Sequence, residues 1–111
     1  MSGRPCPKIP VFRSQTLRDL ARLAPYCMSC GGGHEGEMVG CHSDALEDGH
    51  GAGLKANDVL AYCCGRCHAQ IDGQPEGGPI LSLAERRAMF YRAAYRTTAW
   101  LLQERHLQVV A

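Results

Sequence analysis

Cys27-Met28-Ser29-Cys30 and Cys64-Gly65-Arg66-Cys67-His68 decide the fold of this chain. Each contains a Cys-x-x-Cys knuckle, and two intervening residues let both sulfurs of a pair reach one ion at about 2.3 Å. Four thiolates from two knuckles, Cys27, Cys30, Cys64 and Cys67, suit a tetrahedral zinc, a closed site that holds structure and performs no catalysis. Residues 31 to 63 between the knuckles are longer than the usual zinc-ribbon loop, so they have room for a β-hairpin, which would carry Cys41-His42. Cys63 adjoins Cys64 but lacks the two-residue spacing, so it reads with Cys6 as a spare thiol.

Working outward from the knuckles, Ser14 followed by Leu17, Leu20, Ala21 and Ala24 gives an N-cap and a helical apolar period over residues 14–24, which Pro25 ends. Residues 37–42 and the run Val59-Leu60-Ala61-Tyr62 read as the outgoing and returning strands of the hairpin, and Ser43 to Gly53 as a polar, glycine-rich loop. A short helix is expected from Gly65 to Gly73. Ser82-Leu83-Ala84-Glu85 is a capping box opening a long helix over 82–105, with Phe90, Ala93, Ala94, Thr97 and Leu101 as its buried stripe. The fold class is therefore α+β in a single domain, 1–111, with a zinc-bound core at 27–73 between an N-terminal helix and a long C-terminal helix.

At 111 residues the chain buries roughly 65% of the surface its unfolded form exposes, so a metal staple helps without being the sole support. Seven cysteines, an odd count, fit metal ligands plus spares in a reducing compartment better than disulfides. Residues 1–12 hold no apolar run fit for a signal peptide and no later stretch approaches a membrane span, which predicts a cytoplasmic protein with no membrane partner. Charge is uneven. Residues 1–33 carry five bases against Asp19, residues 34–81 two bases against eight acids, and residues 82–111 five arginines against Glu85 and Glu104. Basic flanks around an acidic, cation-binding middle suit a phosphate backbone; the alternative is that these arginines solvate helix surfaces.

Cys64-Gly65-Arg66-Cys67-His68 also satisfies the c-type haem attachment pattern, but haem attachment leaves Cys27 and Cys30 unexplained and normally requires export. Neither knuckle sits in the βαβ context of a thioredoxin-like centre. His42 at the end of a strand, with His68 and Asp72 four residues apart on one helical face, describes a hydrolytic site: an imidazole–carboxylate pair to hold a divalent cation and a separate histidine to deprotonate water. Taken singly, His42 is a loop histidine, His68 a knuckle cap and Asp72 a surface charge.

The order Leu17-Arg18-Asp19-Leu20-Ala21-Arg22, Cys27-Met28-Ser29-Cys30, Cys41-His42-Ser43, Gly51-Ala52-Gly53-Leu54-Lys55-Ala56-Asn57-Asp58 and Cys64-Gly65-Arg66-Cys67-His68-Ala69-Gln70-Ile71-Asp72 resembles the YbcO-like family of small phage and prophage proteins, regarded as HNH-type ββα-metal nucleases. The resemblance spans about residues 13–105 and rests on the whole order of motifs. It implies a ββα-metal, treble-clef-like core acting on DNA in a bacterial host. Cys27, Cys30, Cys64 and Cys67 would bind structural zinc, His42 would be the general base, and His68 and Asp72 would belong to the site of a second divalent cation: Mg2+, Mn2+, Ni2+ or Zn2+. Cys41 stands where such enzymes often carry an aspartate or histidine metal ligand, and Val59 where their central asparagine is expected, with Asn57 and Asp58 nearby. His50 is an auxiliary ligand, a phosphate contact or a solvated loop histidine. Two rivals need no catalysis: a zinc-held module that binds DNA or protein, and an interaction adaptor using the stripe of the C-terminal helix, should that stripe be exposed. The sequence leaves open the oligomeric state, a homodimer included.

Overall fold

The computed structural model describes residues 12–33, 37–43 and 57–110. Cys6, His50, Lys55 and most of the polar loop lie outside them. The described residues form a small α+β fold: helix α1 (Gln15–Asp19), antiparallel strands β1 (Val39–Cys41) and β2 (Ala61–Cys63), helix α2 (Gly65–Ile71) and helix α3 (Leu83–Gln103). None of these helices is long and apolar enough to cross a membrane.

The Ser14 hydroxyl accepts the Leu17 N–H, satisfying one orphan donor at the start of α1. The helix expected over 14–24 tightens after Asp19 into a 3-10 segment, Leu20–Leu23. Ala24 then adopts an extended conformation (ψ 127°), as the ring of Pro25 demands of the residue before it. Only Ala21 of this segment is buried, so packing does little to enforce regular helix.

The strands pair Val39 with Cys63, Gly40 with Tyr62 and Cys41 with Ala61. β2 is buried along its length, with Tyr62 fully enclosed. At Tyr62 the backbone points away from β1 and its polar groups are met elsewhere: the carbonyl accepts the Met28 N–H (2.9 Å), and the N–H donates to Thr97 Oγ1 (2.9 Å), whose hydroxyl donates to Ala93 O (2.8 Å). The edge of the hairpin is thus closed by the first knuckle and by a side chain of α3. Replacing Thr97 with Val keeps the volume but strands a buried N–H, at a cost of about 1–3 kcal/mol. A urea titration of the zinc-loaded protein is expected to show a lowered midpoint with unchanged slope; an unchanged midpoint would mean this edge bond contributes nothing.

α3 begins with the reciprocal capping box expected of Ser82 and Glu85. It buries Phe90, Ala93, Ala94, Thr97 and Leu101, the stripe read from the sequence, in the core that contains β2. The adaptor reading, which needed that stripe exposed, is therefore removed. Phe90 and Leu101 each contribute roughly 1.5–3 kcal/mol by leaving water. The Trp100 ring stands edge-on to Tyr62, with centroids 6.1 Å apart.

α2 stops where expected. Gly73 has a left-handed backbone (φ 70°), its N–H donates to Gln70 O, and the Gln74 N–H reaches back to Ala69 O, a Schellman closure. The chain then returns along α2 as a 3-10 turn, Pro75–Gly77, so closely that a Cβ on Gly77 would stand 2.5 Å from the Gln70 nitrogen. This packing fixes the end of α2, and with it Asp72.

Candidate functional site

The first knuckle is a turn in which Cys27 N–H donates to Gly32 O and Gly31 N–H to Cys27 O, with Gly31 at φ 76°, a conformation that suits glycine. The second knuckle uses the start of α2: Cys64 is the N-cap and Cys67 lies in the first turn. Two anchors hold the knuckle against the core, the Met28 N–H bond to β2 and the Arg96 guanidinium, which donates to Met28 O (3.2 Å) and Ser29 O (3.3 Å). The result brings the sulfurs of Cys27, Cys30, Cys64 and Cys67 all within 4.8 Å of one another. A tetrahedron with 2.3 Å metal–sulfur bonds has edges of about 3.8 Å, so the cluster fits one zinc ion.

The electrostatics of the cluster point the same way. Burial opposes ionisation of Cys27, yet the backbone N–H groups of Cys30, Cys64 and Ser29 bring its thiol down to about 6. Burial pushes the Cys67 thiol up, and the neighbouring Cys64 and Cys27 push it further. Four thiols this close do not all shed their protons unless a cation sits among them. Every corner is a cysteine and three of the four are buried, so the set has no open position for a substrate.

His42 directly follows β1 and is tied across the fold to Asp58, Nε2 to Oδ1 at 2.9 Å. Asp58 is 1% exposed and heavily partnered. It accepts the Ser14 N–H at 2.6 Å, is bonded by the Arg18 guanidinium, and has Arg13 at 3.6 Å. Burial raises its proton affinity, but the Ser14 N–H, His42 and the two arginines outweigh that and hold the carboxyl below its ordinary range. The carboxylate therefore stays charged and fixes the His42 ring. With Nε2 as the donor, Nδ1 is the nitrogen with a free lone pair.

Against this geometry, no family model, curated protein or solved structure matches the chain.

His68 and Asp72 are paired with each other on the face of α2, Nε2 to Oδ2 at 3.0 Å, each about two-fifths exposed. The Asp72 hydrogen bond raises the proton affinity of His68 against the opposing effect of burial. The sequence reading placed His42, His68 and Asp72 around one site. The structure gives two separate histidine–carboxylate pairs, and the four-cysteine cluster is the only group of three or more metal-ligand side chains among the described residues. Cys41, considered as a ligand beside His42, is fully buried, and its thiol faces Cys63 rather than the surface. That contact, then burial, push the Cys63 thiol up, in keeping with a spare, protonated cysteine.

Of the two residues near the expected central asparagine, Asp58 is the one that holds His42; Asn57 Oδ1 accepts the Phe12 N–H instead. The anchors Arg13, Ser14 and Arg18 were not singled out as site residues. Arg18 lies inside the quoted motif, but nothing local to residues 13–18 indicates a partner forty positions away.

Proposed function

We propose that the chain is an HNH-like endonuclease hydrolysing DNA phosphodiesters, of the phage type that its motif order resembles, acting in the bacterial cytoplasm. The observation that carries this reading is the bond from His42 to a buried Asp58 whose carboxyl is held below its ordinary range. A general base needs its imidazole held in one tautomer and orientation, and a carboxylate on the other ring nitrogen does both. Three further features support it. An antiparallel strand pair runs directly into a helix, His42 lies at the end of the first strand, and His68 lies on that helix. That is the order of a ββα-metal unit. A zinc ion held by the four cysteines would lock the junction of β2 and α2 to the N-terminal knuckle.

In the reaction, His42 Nδ1 takes a proton from a water molecule as the water oxygen bonds to phosphorus, and the bond from phosphorus to the departing oxygen breaks. Asp58 stabilises the imidazolium that forms. His68 and Asp72 are the residues that would hold a second divalent cation, and two protein ligands suffice where water and phosphate complete the shell. A cation there would offset negative charge on the bound phosphate backbone, at a pair separate from His42. Arginines of the flanking helices position the backbone.

Replacing His42 with Ala should reduce divalent-dependent nicking of plasmid DNA by about 10^2- to 10^4-fold while the protein keeps its zinc and fold. Unchanged nicking removes His42 from the mechanism. A second reading, a non-catalytic zinc module that binds DNA or protein, is favoured by the separation of the two histidine pairs. It prevails if the wild type nicks DNA with none of magnesium, manganese, nickel or zinc.

A further inference from the structure

Apart from Arg96, which anchors the first knuckle, the outer face of α3 takes no part in the cysteine cluster or the hydrolytic pair, and its composition is distinctive. Between Leu83 and Gln103 the helix carries four arginines and one acid, Glu85, at its first turn. On its solvent side it presents Tyr91, which flanks the buried stripe and is 48% exposed, and Tyr95, 77% exposed, four residues apart and about 6 Å apart along the axis. Helical geometry places Arg92 and Arg96 to one side of the two rings and Arg87 to the other. The Tyr91 ring is braced edge-on against the buried Phe90, with centroids 5.4 Å apart. Arg96 ties the face to the first knuckle through Met28 O and Ser29 O.

We infer that this face binds single-stranded nucleic acid, with Tyr91 and Tyr95 stacking on unpaired bases and Arg87 and Arg92 contacting the phosphates. Beyond its first turn, where Glu85 serves the capping box, the helix carries only positive charge, so it complements a polyanion and repels a basic partner. Exposed aromatic rings gain little from a duplex, whose base faces are already stacked, and much from a strand whose bases are open. A protein partner would call for an apolar, pocketed centre between the rings. Here the face offers the small Ala88 and, seven residues beyond Tyr95, the exposed Leu102, a single large aliphatic side chain among arginines. The inference deepens the nuclease reading by naming unpaired or frayed DNA as its substrate class, and it rests on that reading only for the consequence for cleavage.

The test is fluorescence anisotropy with the zinc-loaded full chain, titrated against a labelled oligothymidylate and a labelled hairpin duplex of equal length. The single strand should bind more tightly. Tyr95→Ala should weaken that binding by roughly tenfold, and Tyr95→Phe, which keeps the ring, should restore it. Arg92→Ala should weaken both ligands and flatten the salt dependence. Equal affinity for the duplex, or an unchanged Tyr95→Ala titration, overturns the inference. Plasmid nicking by the same preparations keeps the two proposals apart. Nicking without any Tyr95 effect on binding sinks this inference alone. Tyr95-dependent strand binding by a protein that nicks nothing supports it and sinks the nuclease reading alone.

Discussion

Cys64→Ser is expected to lose zinc and cooperative unfolding together. Cys64 is both a corner of the sulfur cluster and the N-cap residue of α2. Serine is a preferred N-cap, so the substitution preserves or improves the start of the helix while removing a thiolate. Any loss therefore belongs to the metal. The apparent free energy of a structural zinc is on the order of 10 kcal/mol, comparable to the whole stability of a domain this size. Without it, the paired strands of three residues each and the seven-residue α2 are too short to persist alone. Elemental analysis with urea unfolding followed by Trp100 fluorescence reads both quantities. Retention of zinc and of a sharp transition would show that the knuckles are not the structural centre.

Asp58→Ala should be the most damaging change outside the cluster. It would leave the Arg18 guanidinium, the Ser14 N–H and the His42 ring without their shared acceptor. Breaking a buried ion pair from one side costs about 3–5 kcal/mol. Arg18 keeps some access to water, which puts the expected loss toward the lower end. The pH dependence has a definite sign. The folded carboxyl lies below its unfolded value of about 3.9, so its contribution is complete above that value and disappears as pH falls through the folded one. Asp58→Asn is close to isosteric and should flatten the acid limb of stability below about pH 4. Because His42 loses its orienting charge, nicking should fall by about 10^2-fold or more even where the fold and zinc survive. An Asp58→Asn protein with wild-type acid sensitivity and wild-type nicking would remove Asp58 from both roles.

What the sequence made legible follows the range over which each signal acts. The knuckles depend on spacing within four residues, the capping box on Ser82 and Glu85, and the stripe of α3 on a single helical period; the four sulfurs do converge, and the box and the stripe stand as read. The end of α2 at Gly73 was equally local, since only a left-handed residue closes the helix there. α1 was read as one helix through Ala24, but beyond Asp19 it is a 3-10 segment that buries only Ala21.

The candidate site was less legible because its decisive contacts are long-range. Asp58 was read as a neighbour of an expected asparagine, in a register that left its role open. Its partners come from α1, from the residues before α1 and from the end of β1, and no periodicity relates them. The i, i+4 relation of His68 and Asp72 correctly put the two together, but a shared helical face carries no information about where His42 points. Arg96 escaped notice for the same reason: its knuckle carbonyls lie more than sixty residues away in sequence.

The most direct test of the account is elemental analysis of the purified protein joined to plasmid nicking across added divalent cations. One tightly held zinc per chain is expected, with nicking that needs a further cation and disappears in His42→Ala while the zinc remains. A zinc-loaded protein that nicks DNA under none of the cations, or nicks equally well without His42, would contradict it.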